Sequence, residues 1–297
     1  MGVKHFLTLL DLPSSDILAI IERSIALKKN PGLVKSQARK TLGMIFEKSS
    51  TRTRVAFETA MAQMDGASIF LTTGDSQLGR GEPIEDTARV LSRMVDCVAI
   101  RTFSHNNLER FAANSRVPVI NALSDDYHPC QLLADVQTFM EVRGSISGKR
   151  VGWIGDGNNM CQSYINAARV FDFELLIATP AGFEPSADLV ADNRSRVKLL
   201  RNPREAAKDV DLVVTDVWAS MGSESEQAQR ARAFSDYQVT AEIMALANSD
   251  ALFMHCLPAH RGEEVSAEVL DAADSIVWEE AENRMHTQKA LLEFLLD

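Results

Sequence analysis

The feature that most narrows the fold of this chain is an alternation of short apolar runs with amphipathic helical stretches. Runs at 42–46, 68–72, 97–101 and 118–121 form one series. A second series lies at 150–154, 174–178, 197–200, 212–215, 251–256 and 275–277. They suit buried strands. Helical spacing fills most of the gaps, as at 85–95 and 131–142. Such alternation predicts βαβ units and mostly parallel sheets. Residues 143–149 read Arg-Gly-Ser-Ile-Ser-Gly-Lys between a long helix and a fresh strand, which marks a boundary. We therefore expect an α/β protein of two domains, each a mostly parallel sheet flanked by helices, over 1–142 and 143–281. A last helix over 282–297 carries Leu291, Phe294 and Leu295, and is free to close either domain.

The 297 residues suffice for two such domains. Their formal net charge of -10 argues against nucleic acid as a partner, though a local arginine cluster can still oppose it for a small anion. No signal-peptide pattern is read in the first dozen residues, and no run approaches the ~20 apolar residues of a membrane span, so no membrane partner is expected. Cys97, Cys130, Cys161 and Cys256 are widely spaced with no C-x-x-C, which suits free thiols in a reducing cytoplasm and gives no zinc signal.

The chemistry-bearing strings fall where strands end, the edge at which open α/β sheets bind ligands. After the run at 42–46 the chain reads Ser49-Ser-Thr-Arg-Thr-Arg54, and Phe57, Met61 and Met64 then mark one helix face. Hydroxyls and free N–H groups collect at such a helix start, but cations are disfavoured there. A multiply charged anion held by N–H groups, hydroxyls and Arg52 would resolve the conflict; a plain Ser/Thr cap with two solvated arginines is the bland alternative. Arg101 ends a strand. His128 precedes Pro129 at a helix entry with Gln131 one turn in, as a cap or as a donor to a substrate carbonyl.

Gly155-Asp-Gly157-Asn158-Asn159-Met160 is like a dinucleotide fingerprint whose third glycine is Met160. Asn159 offers instead an amide for a carboxylate or amine. Asp216 ends another strand and is followed by Trp218-Ala-Ser-Met-Gly222, a setting for an ammonium group or a simple helix cap. Cys256 sits in His255-Cys-Leu-Pro-Ala-His-Arg-Gly262, as a small buried hydrophobe or a thiol at the ligand edge. Its Leu257–Pro258 bond is a candidate for the cis form. His255 and Cys256, on opposite strand faces, do not make an obvious thiolate–imidazole pair. No carboxylate set has metal spacing, and no G-x-S-x-G elbow is present.

Taken in order, these strings resemble the transcarbamylase superfamily, and its ornithine carbamoyltransferase branch in particular. Ser-Thr-Arg-Thr-Arg with His-Pro-x-Gln marks the superfamily, which includes aspartate carbamoyltransferases. Asp-Val-Trp-x-Ser-Met-Gly and His-Cys-Leu-Pro-Ala-His-Arg-Gly point to the ornithine branch. Asp75-Ser-Gln77-Leu-Gly and Glu282-Asn-Arg284 extend the likeness over nearly the whole chain.

The resemblance implies that the first domain binds carbamoyl phosphate and the second L-ornithine, that the last helix returns to the first domain, and that no metal or organic cofactor is needed. It implies that Ser50, Thr51, Arg52 and Thr53 hold the phosphate, that Arg101 bridges phosphate and carbonyl, and that His128 and Gln131 fix the carbamoyl group. Leu257 and Arg284 would add contacts to that group. Asn159, Asp216, Ser220 and Met221 would hold ornithine. Cys256 would lie at the reacting amine, which makes Arg101, His128, Asp216 and Cys256 the catalytic set. Gln77 would reach a neighbouring subunit's site, implying a homotrimer with shared active sites.

Beside a transcarbamylase acting on a different amine, two other classes compete. A nucleotide-dependent oxidoreductase would use the turn at 155–159. A silent paralogue would lack chemical positions that are in fact filled here.

Overall fold

A computed structural model describes residues 2–72, 74, 81–219, 227–273 and 275–297. Residues Gln77, Ser220, Met221 and Gly222, singled out above, lie outside them. The chain divides into two compact units, one of 1–137 with 282–297 and one of 138–281.

The strands are β1 (Thr41–Phe46), β2 (Ala67–Thr72), β3 (Cys97–Arg101), β4 (Val119–Leu123), β5 (Arg150–Ile154), β6 (Glu174–Ala178), β7 (Val197–Leu200), β8 (Leu212–Thr215) and β9 (Leu252–His255). The helices are α1 (Ser14–Lys29), α2 (Thr51–Gln63), α3 (Ile84–Leu91), α4 (His105–Asn114), α5 (Pro129–Arg143), α6 (Asn159–Phe171), α7 (Ala187–Asp192), α8 (Pro203–Ala207), α9 (Gln227–Ala233), α10 (Ala241–Met244), α11 (Ala267–Leu270) and α12 (Val277–Leu296). Two expectations need correction. Residues 275–277 form no strand: the Ile276 carbonyl accepts from the Glu280 N–H at 2.9 Å, so the apolar Ile-Val pair leads into α12. That helix starts at Val277, five residues before the expected 282, and Arg284 therefore sits well inside it.

The first unit holds a four-stranded parallel sheet in the order β2-β1-β3-β4. β1 and β3 are buried almost throughout, which is why they read as continuous apolar runs. Ile45, Val98, Ile100, Leu108, Phe111 and Val119 form a core between this sheet and its helices. α12 joins this unit through Ala290, Leu291 and Leu292, all buried. Two of its polar side chains reach α1 and the segment after it: Glu293 accepts from Arg23 at 2.7 Å and from the Lys35 N–H at 2.8 Å, and Asn283 accepts from Lys28 at 2.7 Å.

The second unit holds a five-stranded parallel sheet in the order β7-β6-β5-β8-β9. Its core gathers Ile154, Leu176, Val213, Trp218, Phe234 and Phe253, with Trp153 wholly buried as well. Among the described residues, no helix is long and apolar enough to cross a membrane.

Strand order fixes where each unit can bind a ligand. In the first sheet the connections leave β1 toward β2 on one side, and β3 pairs on its other side, so the order reverses between β1 and β3. In the second it reverses between β5 and β8. A crevice opens outside the carboxyl ends at such a switch point. Every described residue of the expected site follows one of these ends or a neighbouring one, apart from Arg284 on α12.

Candidate functional site

In the first unit β1 ends at Phe46, whose register partner is Arg101, the last residue of β3. The Glu47 N–H donates to the Arg101 carbonyl at 2.8 Å, so the chain leaving β1 stays beside β3. Ser50 caps α2: its backbone is extended and its hydroxyl accepts from the Thr53 N–H at 3.2 Å. Thr51 is the first, exposed residue of the helix.

No acidic residue occupies the first turn of α2. The two arginines placed there by the sequence differ in fate. Arg54 turns outward, donates to Glu58 one turn on at 2.9 Å and lies 3.8 Å from the Phe70 ring centre. Arg52 is half-buried. Thr53 is buried and its hydroxyl accepts from Arg284 Nη2 at 2.5 Å, which ties α12 to the start of α2.

His128 directly precedes α5 and is 4% exposed. Burial holds its imidazole well below the ordinary range, and the charges of Arg284, Arg101 and Arg52 push it the same way. These four side chains thus share one electrostatic site, and Arg101 and Arg284 are buried with His128. Gln131 is buried one turn in and donates to Asp135 at 2.8 Å. A neutral imidazole among three guanidiniums, beside a helix start, is built for an anion: the cations supply charge, and the imidazole can donate a hydrogen bond without carrying a charge.

In the second unit Asp216 follows β8 and is buried. Its Oδ1 accepts from the Cys256 thiol at 3.1 Å and its Oδ2 from the Asn158 amide at 2.8 Å. Both of these side-chain partners are neutral donors. Neither donor carries a positive charge, which leaves this carboxylate able to pair with an arriving cation. Asn159 begins α6 and is half-buried, but the N-cap is Asn158, whose Oδ1 accepts from the N–H groups of Met160 and Cys161 at 3.0 and 3.2 Å. Sequence reasoning singled out Asn159 and passed over Asn158. The cap position, one residue before the helix pattern, was the signal that separates them.

The glycines at 155–157 have local reasons. A Cβ at Gly157 would fall 2.2 Å from the Pro185 nitrogen and 2.4 Å from the Glu184 carbonyl carbon, so the glycine is there for close backbone approach.

Leu257 follows the cysteine with a φ of 57°, which costs a branched side chain about 1–3 kcal/mol. The position is held by its N–H, which donates to His255 Nδ1 at 2.9 Å. With Nδ1 accepting, the ring proton sits on Nε2 and is donated to Glu264 Oε1 at 3.1 Å. The Leu257–Pro258 peptide is cis.

Among the described residues, ligand atoms of Asp216, His255 and Cys256 lie within 4.8 Å of one another, as do those of His260, Glu263 and Glu264. Both ring nitrogens of His255 are engaged as just described, so the first trio lacks an open imidazole lone pair for a cation. In the second, Glu264 Oε1 already accepts from His255 and from the His260 N–H at 2.6 Å.

Comparison with known proteins follows the same division. Residues 4–141 match the family model "Aspartate/ornithine carbamoyltransferase, carbamoyl-P binding domain", and residues 147–295 match "Aspartate/ornithine carbamoyltransferase, Asp/Orn binding domain". A curated ornithine carbamoyltransferase of Nitrosococcus oceani is 62% identical over 299 residues, covering 100% of this chain and 98% of that protein. One of Methylococcus capsulatus is 63% identical over 296 residues, covering 100% and 99%. Among solved structures, ornithine carbamoyltransferase of Burkholderia thailandensis superposes with a TM-score of 0.92 at 52% identity, covering 99% of each chain. The anabolic ornithine carbamoyltransferase of Campylobacter jejuni gives 0.93 at 43% identity, again covering 99% of each.

Proposed function

This chain belongs to the aspartate/ornithine carbamoyltransferase family, and on that premise we propose that it transfers the carbamoyl group of carbamoyl phosphate to the δ-amine of L-ornithine, giving L-citrulline and phosphate in arginine biosynthesis. The observation that carries the reading is the pair of opposed electrostatic sites. The first unit sets three guanidiniums around a buried neutral imidazole, and the second sets a buried carboxylate among neutral donors.

In this reading the phosphate lies at the start of α2, bound by Ser50, Thr51, Arg52 and Thr53 and by N–H groups that α2 leaves open. Arg101 spans phosphate and carbonyl oxygen. His128, Gln131, Arg284 and the Leu257 carbonyl fix the carbamoyl group, with His128 donating to its carbonyl oxygen. Asn159, Asp216, Ser220, Met221 and Cys256 hold ornithine. The δ-amine, as free base, attacks the carbonyl carbon. The oxyanion that forms is met by Arg101 and His128, each such donor being worth about 3 kcal/mol. The bond from carbon to the phosphate oxygen then breaks, and the nitrogen loses its extra proton to the departing phosphate. The amine itself is the nucleophile, so no covalent enzyme intermediate is required. Fixing both reactants lowers the entropic part of the barrier.

The reading extends to a homotrimer in which Gln77 reaches a neighbouring site, and to a cytoplasmic setting in keeping with four free thiols. The test of substrate identity is a rate comparison with ornithine, N-acetylornithine, putrescine and aspartate, each with carbamoyl phosphate. Ornithine should be favoured by at least about a hundredfold, since a buried polar site rejects ligands that leave it unmatched. A preference for any other amine would replace this reading.

A further inference from the structure

The proposed chemistry leaves one buried ion pair of the second unit unused. Asp156 follows β5 and is 8% exposed, and burial together with the negative charge of Asp216 lifts its carboxyl to about 6, against the pull of Arg230. Arg230 lies on α9, fourteen residues beyond Asp216 in sequence. Its Nη1 donates to Asp156 Oδ2 at 2.7 Å and to the Trp218 carbonyl at 2.9 Å. The guanidinium also stands 5.0 Å from the Phe183 ring centre. The Trp218 ring stacks on Phe234 at 6.0 Å, next to the end of α9. A single side chain thus compensates one carboxylate of a neighbouring pair and fixes the backbone two residues past the other.

We propose that Arg230 is a positioning and selectivity residue for the amine substrate, which matches the charge of Asp156 and pins the Trp218 carbonyl so that Asp216 alone of the two carboxylates meets the substrate's ammonium group. This rests on the ornithine reading of the Asp216 site. Two consequences separate it from a merely structural role. Without Arg230, the segment after Asp216 loses an anchor, which weakens ornithine binding. Loss of Arg230 also lifts the Asp156 carboxyl further, so at a pH alkaline enough to ionise it Asp156 becomes a second anion beside Asp216, which favours substrates richer in positive charge. Putrescine has two ammonium groups and no carboxylate, and is the direct probe of that second effect.

The experiment is steady-state kinetics on the full-length enzyme at alkaline pH, where Asp156 is ionised even without Arg230. It compares wild type, Arg230→Met, Arg230→Lys and the double variant Arg230→Met/Asp156→Asn, with ornithine and putrescine as competing amines. Losing a charge-assisted bond should raise the ornithine KM of Arg230→Met by about tenfold or more. The carbamoyl phosphate KM should stay within about twofold, because that substrate is assigned to the other unit. The ratio of putrescine to ornithine use should rise in Arg230→Met. Removing the second anion in the double variant should return that ratio toward wild type, and Arg230→Lys should retain it. An unchanged ornithine KM and amine ratio in Arg230→Met would overturn the inference, as would a parallel rise in both substrates' KM values. If Arg230→Met does not fold, Arg230→Lys decides alone: a higher ornithine KM at constant carbamoyl phosphate KM supports the inference, and no change in either overturns it. Wild type keeps the two levels apart. A wild type unable to use ornithine removes the underlying reading, whereas an active wild type with an indifferent Arg230 removes only this inference.

Discussion

Arg101→Met removes the guanidinium assigned to both the phosphate and the developing oxyanion, and its size of effect can be worked out. The backbone of residue 101 is secured independently, since its carbonyl accepts from the Glu47 N–H at 2.8 Å and the strand pairs on both sides. The side chain is 5% exposed, and methionine fills much of the same space. Loss of one oxyanion donor costs about 3 kcal/mol, and loss of one charge-assisted bond to phosphate about 1.5–3 kcal/mol. Together these amount to about 10³–10⁴ in kcat/KM for carbamoyl phosphate, and the lower end is expected because the two contacts share one group. Stability should move the other way or not at all. Arg101 shares its site with the guanidiniums of Arg52 and Arg284 around a neutral His128, so the ligand-free protein loses like-charge repulsion on substitution. The assay is citrulline formation at saturating ornithine, paired with thermal unfolding in the presence and absence of carbamoyl phosphate. The expected result is a rate loss near 10³-fold, an unchanged or higher midpoint without ligand, and little stabilisation by ligand. Activity within tenfold of wild type would refute the assignment. A collapse of the ligand-free midpoint would show that Arg101 serves the fold instead.

Three further outcomes follow from the same geometry. Asp216→Asn keeps the shape but removes the anion, and should raise the ornithine KM by about tenfold or more while sparing carbamoyl phosphate binding, measured by initial rates and by phosphate-analogue titration. His128 is held neutral in the folded protein, so its depressed proton affinity contributes stability above about pH 6.5 that is lost as pH falls below it. The stability advantage of wild type over His128→Asn should therefore shrink by up to about 1.4 kcal/mol per pH unit below 6.5 in denaturant titrations, and parallel curves would contradict this. Gly157→Ala drives a methyl group into the Glu184–Pro185 backbone and should cost about 3 kcal/mol or more in chemical unfolding; a loss under 1 kcal/mol would show that the approach is softer than described.

The alternation of apolar runs was enough to read the strands that line both sheets, because parallel strands buried on two faces leave an uninterrupted signal. It failed at 275–277, where a short apolar pair looks the same whether it enters a strand or a helix. The order of strands was not legible, and with it the switch points that bring the 50–53 segment beside Arg101 and the 155–159 turn beside Asp216. Local chemistry could place an anion at α2 but could not divide the labour between Arg52 and Arg54. That depends on Glu58 and on Phe70, which arrives with β2. Asn158 and Arg230 were missed for different reasons. The first was masked by an adjacent asparagine, and the second meets Asp156 across 74 residues of sequence.

Direct transfer between two bound substrates is the step on which all of these residue roles depend. It is tested by following radiolabelled carbamoyl phosphate with purified protein, counting citrulline and phosphate together. Direct transfer gives one citrulline for each phosphate released, dependence of both on ornithine, and no label retained on the protein. Ornithine-independent phosphate release, a labelled enzyme, or no citrulline would contradict it.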